Sequence, residues 1–198
     1  MRPATPDPNI RQSLTGASRA PAGDPVLTLF QRLFGPPGDR LALRPLYAAI
    51  VADARDPVWY RGGGVPDSVD GRFDMLCASL ALVLLRLEGD GDKKRREAVL
   101  LTELFVDDMD ASLRELGTGD LMVGKGIGKL MGALAGRMAS FRETLAEAAA
   151  FQASVRRNVF RDAPPSEEAV RFVAERLRRR HGALGAVPLE RLLAGELE

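Results

Sequence analysis

The chain has 198 residues, 45% of them apolar and 28% charged, a balance that supports one globular core rather than several. Lysine and arginine number 28 against 27 acidic residues, so the formal charge of +1 supplies no whole-molecule field toward nucleic acid or an anionic bilayer. The single cysteine, Cys77, excludes an internal disulfide, and the single histidine, His181, leaves Ser-His-Asp and Cys-His nucleophilic arrangements without support.

Residues 1–23 carry Pro3, Pro6, Pro8, Gly16, Pro21 and Gly23 with few large apolar side chains. They are expected to form a disordered tail ahead of one helical domain over 24–198. The N-terminus shows no basic segment followed by an apolar stretch of the signal-peptide kind. The apolar run Met75 to Leu85 is shorter than the about 20 residues that span a bilayer. A reducing, cytoplasmic compartment is expected, with Cys77 as a buried, inert thiol.

Asp24-Pro25 offers a cap and a first-turn proline for a short helix carrying Leu27, Phe30, Leu33 and Phe34, stopped by Gly35-Pro36-Pro37-Gly38. Leu43, Leu46, Tyr47, Ile50 and Val51 predict a second helix after Asp39, with Pro45 obscuring its start. A long loop from about Arg55 to Gly71 holds Trp59 beside Tyr60, a pair either anchored to the body or aimed at a partner. Phe73 to Leu87 reads as a core helix with Leu76, Leu80, Val83 and Leu84 in register, ending at the turn Glu88 to Asp92.

From about Arg96 to Leu116, Leu101, Phe105, Met109 and Leu113 line one face while Glu103, Asp107, Asp110 and Arg114 line the other, with Gly117 as the stop. Gly117 to Gly128 reads as a glycine-rich connection. One long helix then runs from about Lys129 to Asn158 with Leu130, Leu134, Phe141, Leu145 and Ala148 in a stripe. The last firm helix follows Pro164-Pro165, capped by Ser166, with Glu167 and Glu168 in its first turn. Arg178, Arg179, Arg180 and His181 are expected in its last turn before Gly182. No segment sustains period-two alternation, so the expected fold is all-α, a single multi-helix domain with a long aromatic-containing loop.

Gly119 to Lys125 matches the first seven places of the phosphate loop G-x-x-x-x-G-K. Gly126 stands where a Ser or Thr would hold magnesium, and the preceding element reads as a helix rather than a strand. Glu103, Asp107, Asp108 and Asp110 read as a solvated face, since helical carboxylate metal sites normally add histidine. Arg176 and Arg178 to Arg180 read first as complements to a helix C-terminus. Stacking aromatics are scarce around them, so no nucleic-acid partner is expected. No catalytic residue, metal or cofactor is assigned.

Two stretches carry more than an amphipathic pattern. The first holds Trp59-Tyr60, Gly64-Val65-Pro66-Asp67 and Asp70-Gly71-Arg72-Phe73-Asp74-Met75-Leu76. The second holds Leu104-Phe105, Asp108-Met109-Asp110, Leu113-Arg114-Glu115, Gly117, Gly119-Asp120-Leu121 and Val123-Gly124-Lys125. Over about residues 30 to 140 these blocks resemble the ubiquinol-cytochrome c chaperone family. Two departures stand out: Ala78 and Ser79 where members tend to carry a histidine, and Thr118 where an aliphatic residue is more usual.

The resemblance implies a non-enzymatic assembly factor that binds newly made cytochrome b or an early intermediate of the cytochrome bc complex. It also implies a small helical co-chaperone as a further partner and peripheral contact with the cytoplasmic face of the inner membrane. On this reading Trp59, Tyr60, Phe73 and Phe105 are apolar partner contacts, and Asp67, Arg72, Asp108, Arg114 and Lys125 are polar ones. Some neighbours have structural alternatives: Asp70-Gly71 as a tight turn, Asp74 or Asp120 as helix caps. The basic terminal helix is available to a bilayer surface. The competing readings are a phosphate- or nucleotide-binding regulator using Gly119 to Lys125, and a general helical interaction scaffold.

Overall fold

The computed structural model describes residues 38–89, 95–115, 117, 119–161 and 164–198. The expected disordered tail over 1–23, the expected helix over 24–34 and the turn at 90–92 lie outside the described residues. Among the described residues the fold is all-α, in chain order α1 (Gly38–Leu41), α2 (Arg44–Ala54), a π-helical turn (Val58–Gly62), α3 (Val69–Gly89), α4 (Arg95–Glu115), α5 (Asp120–Thr144), α6 (Ala148–Val159), α7 (Glu167–Ala186) and α8 (Leu189–Leu193).

Helix α3 is the axis of the core. Every residue from Asp74 to Leu84 is buried, which requires cover on all sides, and α2, α4, α5, α6 and α7 supply it. Small Ala78 and Ala81 admit neighbouring backbones while Leu80 and Leu82 fill the spaces between them. Cys77 sits within this run, fully buried, and burial pushes its thiol up to about 12, the inert state expected of it.

Pro45 falls in the first turn of α2, where its missing N–H leaves no hydrogen bond unmade, so the helix starts beside the proline and buries Leu46, Ile50 and Ala54. The stretch expected as a long loop is shorter and tightly built. Trp59 Nε1 donates to the Asp53 carbonyl at 2.7 Å and the Tyr60 hydroxyl donates to the Ala54 carbonyl at 2.6 Å, so the aromatic pair satisfies carbonyls at the end of α2. Helix α3 then begins at Val69, one turn before the expected start. Asp70-Gly71 is therefore its first turn and not a separate tight turn. A Cβ on Gly71 would lie 1.9 Å from the Pro66 carbonyl oxygen, so only glycine lets the incoming chain lie against that turn.

The glycine-rich stretch was expected to be a connection, yet α5 starts at Asp120 with Gly119 as its N-cap, and Gly124, Gly126 and Gly128 are helical. Gly126 has a packing reason: a Cβ there would meet Leu113 Cδ1 at 2.9 Å, so glycine allows α4 and α5 to approach. Gly124, Gly128, Gly132 and Gly136, four residues apart, meet nothing within 4 Å. The single long helix expected over 129–158 is two helices. Glu147 caps α6 by accepting from the amides of Ala149 and Ala150, which interrupts the helix after Leu145. Phe141 and Phe151 then meet edge to face at 5.0 Å between centroids, whereas ten residues of straight helix would separate them by about 15 Å along the axis.

Ser166 caps α7 as expected, its hydroxyl accepting from Ala169 N at 3.1 Å. The far end differs. Helix α7 continues through Gly182 and Gly185 to Ala186 because Leu184 is buried in the core, and its last turn holds no basic residue. The arginines expected to complement that terminus serve other elements instead. Arg178 Nε donates to the Leu145 carbonyl at 3.1 Å, at the end of α5. Arg180 pairs with Asp53 at 2.6 Å, and Arg176 pairs with Asp56 at 3.3 Å while lying 5.2 Å from the Trp59 ring centroid. Among these only Arg179 remains exposed.

The open glycines generate a stability prediction. Gly128→Ala and Gly132→Ala each raise unfolding free energy by about 0.5–1 kcal/mol, because alanine fits the helix and narrows the unfolded ensemble. Gly126→Ala gains nothing or loses stability through Leu113. Urea unfolding of the three variants measures both signs.

Candidate partner-binding groove

A groove of about 600 Å³ opens among the end of α2, the first turns of α3, the second half of α4, the middle of α5 and Arg161. Val51 and Ala54, Phe73 and Leu76, Met109 and Leu113, and Leu130 and Ala133 form its apolar floor, each pair contributed by one helix at a spacing of three or four. The charged groups are Arg55, Asp70, Arg72, Asp108, Lys129 and Arg161. Phe73 is half-buried, with Phe105 behind it at 6.3 Å between ring centroids.

The wall behind Phe73 is electrostatic. Asp74 is buried in the second turn of α3 and accepts from two guanidiniums. One is the equally buried Arg137 of α5, and the other is Arg161, whose Nε and Nη2 lie 2.9 and 2.8 Å from the carboxylate oxygens. Arg137 also donates to the Asn158 carbonyl at 2.7 Å, near the end of α6, and to the Ala133 carbonyl at 3.3 Å. Its guanidinium lies 5.8 Å from the Phe73 ring centroid. A buried charge is tolerated only when paired and hydrogen-bonded, and this set meets the condition by joining α3, α5 and the chain after α6. Asp74 is therefore an ion-pair centre and not a helix cap. Sequence reasoning passed over Arg137 and Arg161; the available signal was an arginine inside the apolar stripe between Leu134 and Phe141.

The residues expected to touch a partner fall into three groups. Arg72, Phe73 and Asp108 line the groove. Tyr60 and Asp67 adjoin it through Arg72, which pairs with Asp67 at 2.6 Å and lies 5.9 Å from the Tyr60 ring centroid. That guanidinium lowers the Asp67 carboxyl below its usual range. Trp59 and Phe105 are both 0% exposed and act as packing within the core. Arg114, paired with Asp110 at 2.7 Å, and exposed Lys125 lie outside the groove lining. Asp108 accepts from the Tyr47 hydroxyl at 2.7 Å, and burial together with that hydrogen bond raises the Tyr47 phenol.

The carboxylates of α4 are spent separately. Arg40 approaches Glu103 at 3.3 Å and Asp107 at 3.0 Å, Asp108 serves Tyr47, and Asp110 serves Arg114. Among the described residues no three His, Cys, Asp or Glu side chains gather to hold a cation. Gly124 and Lys125, the distinctive end of the phosphate-loop pattern, are inside helix α5. There is no loop at that point for backbone amides to wrap a phosphate.

Two predictions follow from these charges. Arg137→Met leaves Asp74 buried with half its pairing and lowers stability by about 3–5 kcal/mol, as for other broken buried pairs. Arg157→Met on the exposed face of α6 serves as the comparison in urea unfolding. Glu103 is buried, and its oxygens have no hydrogen-bond partner among the described residues; burial pushes its carboxyl above the ordinary 4.5. Between that value and the raised one, the native state keeps a proton that the unfolded chain has released, so this group's contribution to stability falls as pH rises. The stability of Glu103→Gln relative to the parent therefore increases as pH is raised from about 4.5 toward neutral, read by unfolding at each pH.

The family model described as Ubiquinol-cytochrome C chaperone matches residues 61–198. The crystal structure of the Cbp3 homolog from Brucella abortus is similar at 30% sequence identity and a TM-score of 0.69, covering 86% of this chain and 94% of that one. A search of curated proteins gave no match.

Proposed function

The chain belongs to the ubiquinol-cytochrome C chaperone family, and from that premise we propose that it holds newly made cytochrome b, or an early intermediate of the cytochrome bc complex, in the groove between α2, α3, α4 and α5. The family implies an assembly role for ubiquinol-cytochrome c reductase. The observation that carries the finer reading is the groove itself: an apolar floor built from four helices, with Arg72, Phe73 and Asp108 brought to it from α3 and α4. Burial of a client's apolar side chains on such a floor supplies affinity, and the charged edge sets orientation. The work is binding, with no reacting group required of the protein. A small helical co-chaperone is part of the same reading.

Among the described residues no helix is long and apolar enough to cross a membrane. We place the protein at the cytoplasmic face of the inner membrane, in peripheral contact through its client. The arginines of α7 favour that route over direct lipid binding, because Arg176, Arg178 and Arg180 are engaged within the protein.

The test is site-specific photo-crosslinking in native host membranes from Met109 and Arg55, which line the groove, and from Arg157, which does not. Cytochrome b is expected on the two groove positions and absent from Arg157. Its absence from both groove positions, or equal labelling from Arg157, rejects the reading.

A further inference from the structure

The edge of the groove is cationic in a specific way. Besides Arg72 of α3, which is paired with Asp67, Arg55 closes α2, Lys129 lies on α5 and Arg161 follows α6, so further positive charge reaches one apolar floor from three other parts of the chain. The side chains of Arg55 and Lys129 have no hydrogen-bond or ion-pair partner among the described residues. Arg161 shares the single carboxylate of Asp74 with Arg137, yet its own side chain is 43% exposed. Of the two carboxylates on the lining, Asp108 is already held by the Tyr47 hydroxyl, leaving Asp70.

We propose that the groove takes an amphipathic helical segment of a polypeptide whose apolar face is bordered by carboxylates, with Arg55 and Lys129 as the residues that select it. This deepens the client reading and rests on it for the identity of the partner. An apolar floor alone accepts any hydrophobic face; separated cations reject segments whose edges are basic and pull in those whose edges are acidic. The separation also favours a helix over an anionic lipid. One headgroup meets one cation, whereas several carboxylates along a helix meet charges arriving from α2 and α5 together.

The experiment uses the full chain and synthetic amphipathic peptides with a common Leu/Ala face and edges of Glu, Gln or Lys, measured by fluorescence anisotropy. The Glu peptide is expected to bind about tenfold more tightly than the Gln peptide, with a gap that narrows as salt is added. The double variant Arg55→Glu/Lys129→Glu reverses the preference toward the Lys peptide while its circular dichroism is unchanged, and Arg157→Glu leaves the preference as it was. Equal binding of the Glu and Gln peptides, no binding of either, or a preference untouched by the double reversal overturns the proposal. So does vesicle binding, if vesicles rich in anionic lipid bind the parent and displace the Glu peptide. Cytochrome b crosslinks from Met109 that persist beside equal peptide binding sink the charge rule alone. A Glu preference without such crosslinks sinks the cytochrome b reading alone.

Discussion

A carboxylate inside the most buried helix sets the terms for the rest of the molecule. From Asp74 to Leu84 helix α3 is buried, so Asp74 is not solvated from outside and must be neutralised by groups arriving from other elements. Arg137 and Arg161 do this, and because both bonds are directional they fix more than charge. They set the register of α5 against α3 and hold the chain after α6 close to the first turns of α3. Replacing such a set by apolar residues is often neutral or stabilising in other proteins, so its value here is better sought in positioning than in net stability. Arg137 backs the Phe73 ring, and Arg161 is delivered to the groove.

The same economy recurs at helix ends. The carbonyls that close α2 are met by Trp59 and Tyr60, those after α5 by Arg178, that of Asn158 near the end of α6 by Arg137, and that of Leu184 near the end of α7 by Arg86 at 2.9 Å. A glycine cap would satisfy such carbonyls locally and leave the following chain free to choose its direction. A long side chain from another helix satisfies them and at the same time ties two elements together. Arg86, Arg137 and Arg178 thereby act as struts between helices.

This pattern explains what the sequence could and could not reveal. The all-α class, the buried α3, the amphipathic α4 and the Ser166 cap are local properties, set by spacing and by one side chain beside its own helix. The break after Leu145 depends on Glu147 capping a new helix so that Phe151 can fold back on Phe141, and an unbroken apolar stripe conceals it. The arginine cluster of α7 looked like a terminus because the core contact of Leu184, which carries the helix onward, is long-range. Family blocks singled out Arg72, Phe73 and Asp108 without geometry. They also singled out Trp59 and Phe105, which are packed within the core, and gave no warning of Arg137 and Arg161, which pair with Asp74.

In the function proposed above, the client is an apolar segment of an unfinished membrane protein, and the groove offers it an apolar floor with a polar edge. The floor rests on α3, the most buried helix, and on Phe73, which is backed by Arg137 and Phe105. The edge is built from charged groups, several of which keep their solvation, and a contact of that kind limits burial and leaves release accessible when a competing partner arrives. Spreading the floor over four helices adds a second consequence. Among the described residues the exposed large apolar side chains, Leu41, Val69, Val99 and Met122, lie on four different helices, and the groove exists only where the ion pairs of Asp74 have assembled the fold. On the proposed function, client affinity and correct folding are thereby coupled through one buried carboxylate.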